Sequence, residues 1–259
     1  MPASICISRS TTCSCAPSSP TIATTVSSRS RAASTLAEHR AGEKHVVATP
    51  NPIDLAYPFA GRWLVQNSPA DRVPSHGTTL FATAYAIDFV PVGDNGRTAP
   101  ITIGSLVRPE PPERFPGFGR PILAPISGTV IAVHDAEIDH PAYRGVPSIG
   151  YAVTQRRRAA DGWLALAGNH VMIERDGVVV ALCHLQRAST EVRAGQHVRA
   201  GDVLGRCGNS GNSTEPHVHV QAITGSRVEH ATAVPLTFGA SLPHNGDVIV
   251  ATASRHRGR

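Results

Sequence analysis

Short apolar runs separated by turn-forming residues dominate the chain from Val46 onward. Runs of this length, bounded by Gly, Pro, Asn and Ser, predict β-strands. The sequence shows no heptads, no sustained 3.6-residue periodicity and no repeat at a fixed period. The pattern therefore predicts an all-β protein, with strands expected at Gly61–Gln66, Tyr85–Val90, Pro121–Pro125, Ser127–Val133, Asn169–Glu174, Gly177–Leu185 and Gly201–Gly205.

The regions outside these runs have a different composition. Residues 1–45 are rich in Ser, Thr, Ala and Arg, with no acidic residue before Glu38 and no apolar signal-peptide core. They are predicted to be disordered, the alternatives being a transit or export segment and a misassigned start codon. Residues 46–245 are predicted to form one domain, and residues 246–259 a basic tail. Residues 133–168 are polar and too long for a hairpin loop, so they are expected to form a rim or insertion beside a site.

Composition and charge narrow the function classes. Only 5% of the residues are aromatic, while 23 Gly and 21 Pro favour many turns over long helices. The net charge of +5 suits an anionic polymer such as nucleic acid, a membrane surface or an acidic cell-wall polymer, or simply a basic surface. Nucleic acid is not expected, because no recognition signature or zinc-finger spacing is present. No run approaches about 20 apolar residues, so no membrane span is predicted.

The five cysteines show no zinc-type pairing. Cys13 and Cys15 are two positions apart, with no second pair nearby. Cys183 and Cys207 lie in apolar, strand-like stretches, where they are expected as buried thiols or, alternatively, as one disulfide.

The stretch from Asn209 to Gln221 places two histidines directly after a turn-rich run. Residues two apart on a β-strand point to the same face, so His217 and His219 would share one side. Val218 and Val220 would pack on the other side. By itself the pair is compatible with metal binding, with catalysis, or with exposure on an edge strand.

Three further residues are candidate partners of this pair. Asp88 interrupts an apolar strand, where a carboxylate is costly unless it is paired or bound to a cation. His184 lies within another apolar strand, where a hydrogen-bonded core histidine is the alternative. His76 lies on a turn ahead of Asp88 and alone would be read as a surface residue. Together these side chains supply the nitrogen and oxygen ligands that zinc prefers, and a catalytic zinc site has three protein ligands and one open position.

At this point the sequence resembles the zinc peptidases of the lysostaphin and LytM type, peptidase family M23. The resemblance is carried by ordered motifs between Pro121 and Gln221, and it extends more loosely back to Trp63. The motifs are Ala124 to Val130, Gly168-Asn-His-Val171, His184-Leu185, the glycine-punctuated segment Val192 to Gly205, and Pro216-His-Val-His219.

The resemblance implies an antiparallel all-β fold with a groove across the sheet, the duplicated hybrid motif. It implies that His76, Asp88 and His219 bind Zn²⁺ and that His184 and His217 are catalytic, with their separate roles left open. Asn169 and the loop 209–213 are expected to line the groove, although turn chemistry explains them equally well. The implied reaction is hydrolysis of peptide crosslinks or stems of bacterial peptidoglycan, by a monomer in an extracellular or cell-envelope location.

One departure and two alternatives accompany this interpretation. Twelve positions separate His76 from Asp88, whereas the common family pattern has three residues between its first ligands. One alternative is a non-catalytic member that binds cell wall or activates a hydrolase, which would be expected to lack ligands. The other is a phosphotransfer-type carrier, which would need no metal at Asp88. A lipoyl or biotinyl domain is excluded, because the only lysine is Lys44.

Overall fold

A computed structural model describes residues 50–100 and 102–252 of the protein. β-Strands dominate this part of the chain, which confirms the predicted fold class. The strands are β1 (Ile53–Leu55), β2 (Gly61–Gln66), β3 (Ile87–Pro91), β4 (Pro121–Leu123), β5 (Gly128–His134), β6 (Asn169–Arg175), β7 (Val178–Leu185), β8 (His197–Val198), β9 (Val203–Arg206), β10 (Val218–Thr224), β11 (Ala233–Val234), β12 (Leu236–Phe238) and β13 (Val248–Ala251). The helices are α1 (Ile103–Val107), α2 (Val146–Val153), α3 (Gln155–Ala160) and α4 (Trp163–Ala167), with 3₁₀ turns at Leu80–Ala82, Pro112–Arg114 and Val228–His230.

Most of the strands form one nine-stranded sheet in the order β13-β2-β3-β10-β7-β6-β5-β8, with β11 added beside β10. Every pairing in this sheet is antiparallel. Two small sheets lie beside it: β4 pairs with β9 antiparallel, and β1 pairs with β12 parallel. The strand that contains His219, β10, begins directly after His217 and is central in the sheet, with β3 on one side and β7 on the other.

One face of these central strands is apolar. Val218 and Val220 of β10 and Phe89 of β3 are fully buried in the main hydrophobic core. Because successive side chains on a strand point to opposite faces, this packing leaves Asp88 and His219 on the other face. The predicted division of the strand into a core side and a chemical side is confirmed.

Gly128 begins β5 at a point where the backbone of β6 passes very close. A Cβ at this position would collide with the carbonyl oxygen of Glu174 and lie 2.9 Å from Cγ2 of Ile173. We expect Gly128→Ala to lower the free energy of unfolding by about 1–3 kcal/mol, because the obstacle is backbone. Urea denaturation measures the change.

Gly150 provides the matched control. It lies within α2, and a Cβ there would meet no atom within 4 Å. Gly150→Ala should be neutral or stabilising by up to about 1 kcal/mol, because alanine favours a helix. If both variants lost the same free energy of unfolding, the collision with the backbone of β6 would not explain the effect of Gly128→Ala.

Two of the differences between the structure and the sequence prediction concern the groove and the end of the domain. The stretch between Val133 and Gly168 contains the helices α2 to α4, which the sequence did not predict. Each has eight residues or fewer, too short to show a helical period. In addition, β13 pairs with β2, so the sheet continues past residue 245, where the sequence prediction ended the domain. The predicted disorder of residues 1–45 and the end of the basic tail lie outside the described residues.

Two smaller expectations can be compared with the structure. Cys183 and Cys207 are buried free thiols, so the alternative of a disulfide between them does not hold. Burial raises the pKa of both thiols far above the usual range, which keeps them protonated. Among the described helices, none has the length and apolar character required to cross a bilayer.

Candidate active site

The candidate metal ligands come from two neighbouring strands and one loop. His219 of β10 stands directly opposite Asp88 of β3 in the antiparallel register. The loop between β2 and β3 brings His76 back to the same point, with its Nε2 atom 3.0 Å from Oδ2 of Asp88. One donor atom from each of these three residues lies within 4.8 Å of the other two. The separation of twelve positions along the chain is therefore bridged by the loop.

A contact with Ser75 holds the ring of His76 so that Nε2 faces Asp88. The hydroxyl of Ser75 donates to the carbonyl oxygen of Thr83 at 3.3 Å. It can therefore accept from Nδ1 of His76, which lies 2.9 Å away. If Nε2 binds a metal ion, the ring proton would reside on Nδ1, where the hydroxyl of Ser75 can accept it.

The same reasoning applies to His219. The side-chain amide of Gln221 donates to the carbonyl oxygen of Phe81 at 3.1 Å, which fixes its orientation. Its oxygen then accepts from Nε2 of His219 at 3.0 Å. The other ring nitrogen, Nδ1, faces Oδ1 of Asp88 at 2.9 Å.

Two imidazole nitrogens and one carboxylate therefore converge in a buried place. Asp88 is 5% exposed and accepts one hydrogen bond from Nδ2 of Asn67 at 2.7 Å. Burial alone would raise the pKa of Asp88, but the charges of His76 and His217 and hydrogen bonds from His219 and His76 hold that pKa well below its usual value. Asp88 is thus a carboxylate. Two imidazole nitrogens and a carboxylate are a donor set that fits zinc.

Two further histidines lie beside this cluster and are held differently. His184 directs Nδ1 to the carbonyl oxygen of Ser210 at 2.9 Å, and His217 directs Nδ1 to that of Glu215 at 2.8 Å. A carbonyl accepts, so Nδ1 carries the proton in each neutral ring. Within the described chain neither Nε2 makes a hydrogen bond. The ring centroids are 4.6 Å apart, and Nε2 of His217 lies 3.8 Å from Oδ1 of Asp88.

A β-bulge explains how His184 reaches the site. The pairing of β6 with β7 shifts between Asn169 and Val171, so that Cys183 and His184 together oppose His170. His184 has a φ of +64°, a left-handed conformation that is uncommon for a residue other than glycine. As a result Cys183 and His184 both line the groove, whereas Leu182 remains in the core. Bulges of this kind redirect side chains beside active sites.

Burial affects the protonation of His184. It lowers the pKa of His184, and the charges of His217 and His219 lower it further, to well below the usual value. His184 is therefore neutral near pH 7, with the lone pair of Nε2 available to take a proton.

These residues lie along one groove with a volume of about 760 Å³. One wall is the loop that carries His76. The other wall is the segment of α2 to α4, which confirms the expected rim between Val133 and Gly168. The walls meet where Phe81 approaches Trp163, with ring centroids 6.2 Å apart. The predicted residues His76, Asp88, His184, His217 and His219 all line the groove.

Asn169 does not line the groove, contrary to expectation. It is fully buried, and its amide nitrogen donates to the carbonyl oxygens of Glu137 and Leu185. Its side-chain oxygen accepts from the backbone nitrogen of Glu137 at 2.8 Å. Its role is therefore to hold the chain ahead of α2. His170, to which the sequence assigned no role, is buried and bonds the carbonyl oxygen of Gly168.

The sequence analysis missed several residues that contact the predicted site or line the groove. The contact between Gln221 and His219 could have been predicted, because Gln221 lies two positions beyond His219 and therefore shares its face of the strand. Ser75 and Asn67 carried no such signal, since both are ordinary loop residues. From the helical wall, Tyr151, Arg158 and Trp163 also line the groove.

Comparison with known proteins identifies the domain. Residues 115–230 match the sequence model of peptidase family M23. The chain carries a peptidase family M23 domain. His184, His217 and His219 lie within the matched residues of this M23 domain, whereas His76 and Asp88 precede them. The assignment of the last two residues to the site therefore depends on the geometry alone.

Curated relatives of the M23 domain cover only part of the chain. Glycyl-glycine endopeptidase ALE-1 of Staphylococcus capitis is 29% identical over 89 residues, which are 34% of this chain and 24% of that protein. Lysostaphin of Staphylococcus simulans is 29% identical over 89 residues, 34% of this chain and 18% of that protein. The chain thus spans about a quarter or less of the length of these relatives.

Solved structures similar to this M23 chain include two catalytic domains. That of the prophage-encoded M23 protein EnpA from Enterococcus faecalis is 21% identical, covers 58% of this chain and 73% of its own, and has a TM-score of 0.34. That of lysostaphin from Staphylococcus simulans is 19% identical, covers 57% and 74%, and has a TM-score of 0.33.

Proposed function

We propose that this chain is a zinc-dependent endopeptidase that hydrolyses peptide bonds in the crosslinks or stems of bacterial cell-wall peptidoglycan. The observation that carries the proposal is the convergence of the donor atoms of His76, Asp88 and His219, beside two histidines whose Nε2 atoms make no hydrogen bond among the described residues. The M23 domain and the name of one relative, a glycyl-glycine endopeptidase, support it. An extracellular or cell-envelope location belongs to the same proposal.

His76, Asp88 and His219 would hold the zinc ion. When bound, zinc supplies Lewis acidity, which polarises a peptide carbonyl and lowers the pKa of water. Three protein ligands leave a position open for water or substrate, as in other catalytic zinc sites. Ser75, Gln221 and Asn67 orient the ligands through the hydrogen bonds described above.

The remaining chemistry is proton transfer by His184 and His217. Both rings are anchored at Nδ1 by backbone carbonyl oxygens, so both present Nε2 to the groove in a fixed orientation. His184 is neutral because of its burial and is suited to accept a proton. His217 lies between His184 and Asp88 and can stabilise developing charge on the carbonyl oxygen or pass a proton to the leaving amine.

The proposed function is tested on purified peptidoglycan. Protein treated with a chelator should release no peptides, and re-addition of zinc should restore release, with new amino termini identified by mass spectrometry. Magnesium serves as the control cation, because nitrogen ligands do not suit it. Binding to cell wall without peptide release would favour a non-catalytic member, and phosphohistidine in a metal-free protein would favour a carrier.

Gln221 is expected to act as a positioning residue for His219. Gln221→Leu removes the acceptor that keeps the proton on Nε2, so zinc affinity should fall by about 10- to 100-fold. Competition with a chromogenic chelator measures the affinity, and the melting temperature checks the fold. Gln221→Glu keeps an acceptor and should retain most of the affinity. If leucine and glutamate weaken zinc binding equally, the hydrogen bond to His219 does not have this role.

A further inference from the structure

The groove contains two arginines without a carboxylate partner. Arg72 lies on the wall of the His76 loop, and Arg158 lies on the wall of α3. Among the described residues, no carboxylate oxygen lies within 4.0 Å of either guanidinium group. The other charged residues lining the groove are Asp88, which contacts the histidines, and Glu215. The groove therefore contains two guanidinium groups that have no carboxylate of the described chain within ion-pair distance.

Arg158 is held rigidly by uncharged groups. Its Nε donates to Oδ1 of Asn212 at 2.8 Å, and its two terminal nitrogens donate to Oγ1 of Thr154 at 2.6 Å and the carbonyl oxygen of Tyr151 at 2.8 Å. Its Cζ atom lies 3.7 Å above the ring of Tyr151. These contacts use three of five N–H groups, so two remain available. The guanidinium is thus fixed in place and only partly satisfied.

A fixed guanidinium with free N–H groups matches the planar geometry of a carboxylate. Because Arg158 is already ordered, binding would cost little side-chain entropy. Arg72 donates to the carbonyl oxygen of Ser75 at 2.8 Å and adds positive charge beside the same groove. We propose that Arg158 is a specificity-determining residue that binds a free carboxylate of the peptide substrate, with Arg72 strengthening the local positive potential.

This inference rests on the proposed peptidase function and narrows its substrate class to acidic peptides. A cell-wall stem peptide offers two sources of the required chemistry. One is the free carboxylate of an isoglutamate residue, and the other is the carboxylate at the peptide terminus. Amidation removes either charge while leaving the shape of the peptide nearly unchanged, so the two sources can be distinguished.

The experiment uses the zinc-loaded full chain and a synthetic stem peptide of alanine, isoglutamate, lysine and alanine. Four forms are compared: unmodified, amidated at the isoglutamate, amidated at the terminus, and amidated at both. Binding is measured by calorimetry with the His217→Ala variant, and KM and kcat are measured with the unaltered protein. We expect amidation of one carboxylate to raise Kd and KM by about tenfold, as for loss of a charge-assisted hydrogen bond, with little change in kcat.

Substitutions then locate the contact. In Arg158→Gln the difference in Kd and KM between the charged and amidated peptides should disappear, whereas the zinc content per chain should stay the same. The control is Arg157→Gln, which removes an exposed arginine of the same helix that does not line the groove. Arg72→Gln should partially reduce the preference for the charged peptide over the amidated peptide. If Arg158→Gln does not fold, the peptide series with the unaltered protein still decides the matter.

The possible outcomes separate this inference from the proposed function. Equal Kd and KM for all four peptides would overturn the inference while leaving a peptidase. A preference that persists in Arg158→Gln but is lost in Arg157→Gln would assign the carboxylate to another site and would also overturn it. If no peptide is cleaved, the proposed function fails, and the binding titrations still test recognition of the carboxylate.

Discussion

Asp88→Asn is expected to abolish tight zinc binding and hydrolysis together. Asparagine has nearly the same shape as aspartate but no negative charge, and the carboxylate lies against Nε2 of His76 and Nδ1 of His219. Loss of a residue that orients a ligand already weakens metal binding by about 10- to 100-fold, so loss of a ligand should exceed that range. Affinity is measured by chelator competition and activity by peptide release from cell wall.

The melting temperature provides a second measurement for the same variant. Zinc that binds the folded state should stabilise the parent, by about 4 kcal/mol at a free concentration 1,000 times Kd. Asp88→Asn should fold without metal and gain none of this stabilisation. Asp71→Asn is the matched control, because Asp71 bonds Nδ1 of His244 at 2.8 Å on the surface. Undiminished zinc stabilisation in Asp88→Asn would place the metal elsewhere.

His184→Ala and His217→Ala are expected to keep zinc and lose hydrolysis. Neither Nε2 belongs to the set of converging donor atoms, yet both face the groove beside it. Removal of a group that transfers protons in the transition state lowers kcat by about 10²–10⁴-fold. Zinc per chain is measured by elemental analysis after gel filtration, and kcat is measured on the released peptides.

His134→Ala is the control for these two variants. His134 lies on β5, where Nε2 is 3.4 Å from Oε1 of Glu137, and it does not line the groove. Its activity should equal that of the parent. If His184→Ala or His217→Ala loses zinc, that residue is a ligand and the division of roles is wrong.

The alternation of residues within strands made much of the fold and part of the site predictable. Gly61–Gln66 has the predicted bounds, and the two histidines point away from Val218 and Val220 as a strand requires. Such patterns depend only on the period of the strand, so they can be read without knowing which strands pair. The pairing of His219 with Asp88 could not be read in this way. It depends on a register between residues more than a hundred positions apart.

Irregular backbone limited the rest of the prediction. Regular alternation would turn His184 toward the core, because Leu182, two positions earlier, is a core residue, and the bulge that prevents this leaves no mark in the sequence. The helices of the groove wall have eight residues or fewer, so the sequence shows no helical period there. Consequently Arg158 could be read only as one of three consecutive arginines.

The bulge at Cys183 and His184 also has a genetic consequence. Deleting the codon for Cys183 would restore regular pairing between β6 and β7 and remove the need for a left-handed residue. The sheet and its core would persist, but the imidazole would move by one strand position, about 3.3 Å. Proton transfer does not tolerate such a displacement, because it requires hydrogen-bond distances. A single in-frame deletion is therefore expected to convert the proposed peptidase into a protein that only binds its ligand.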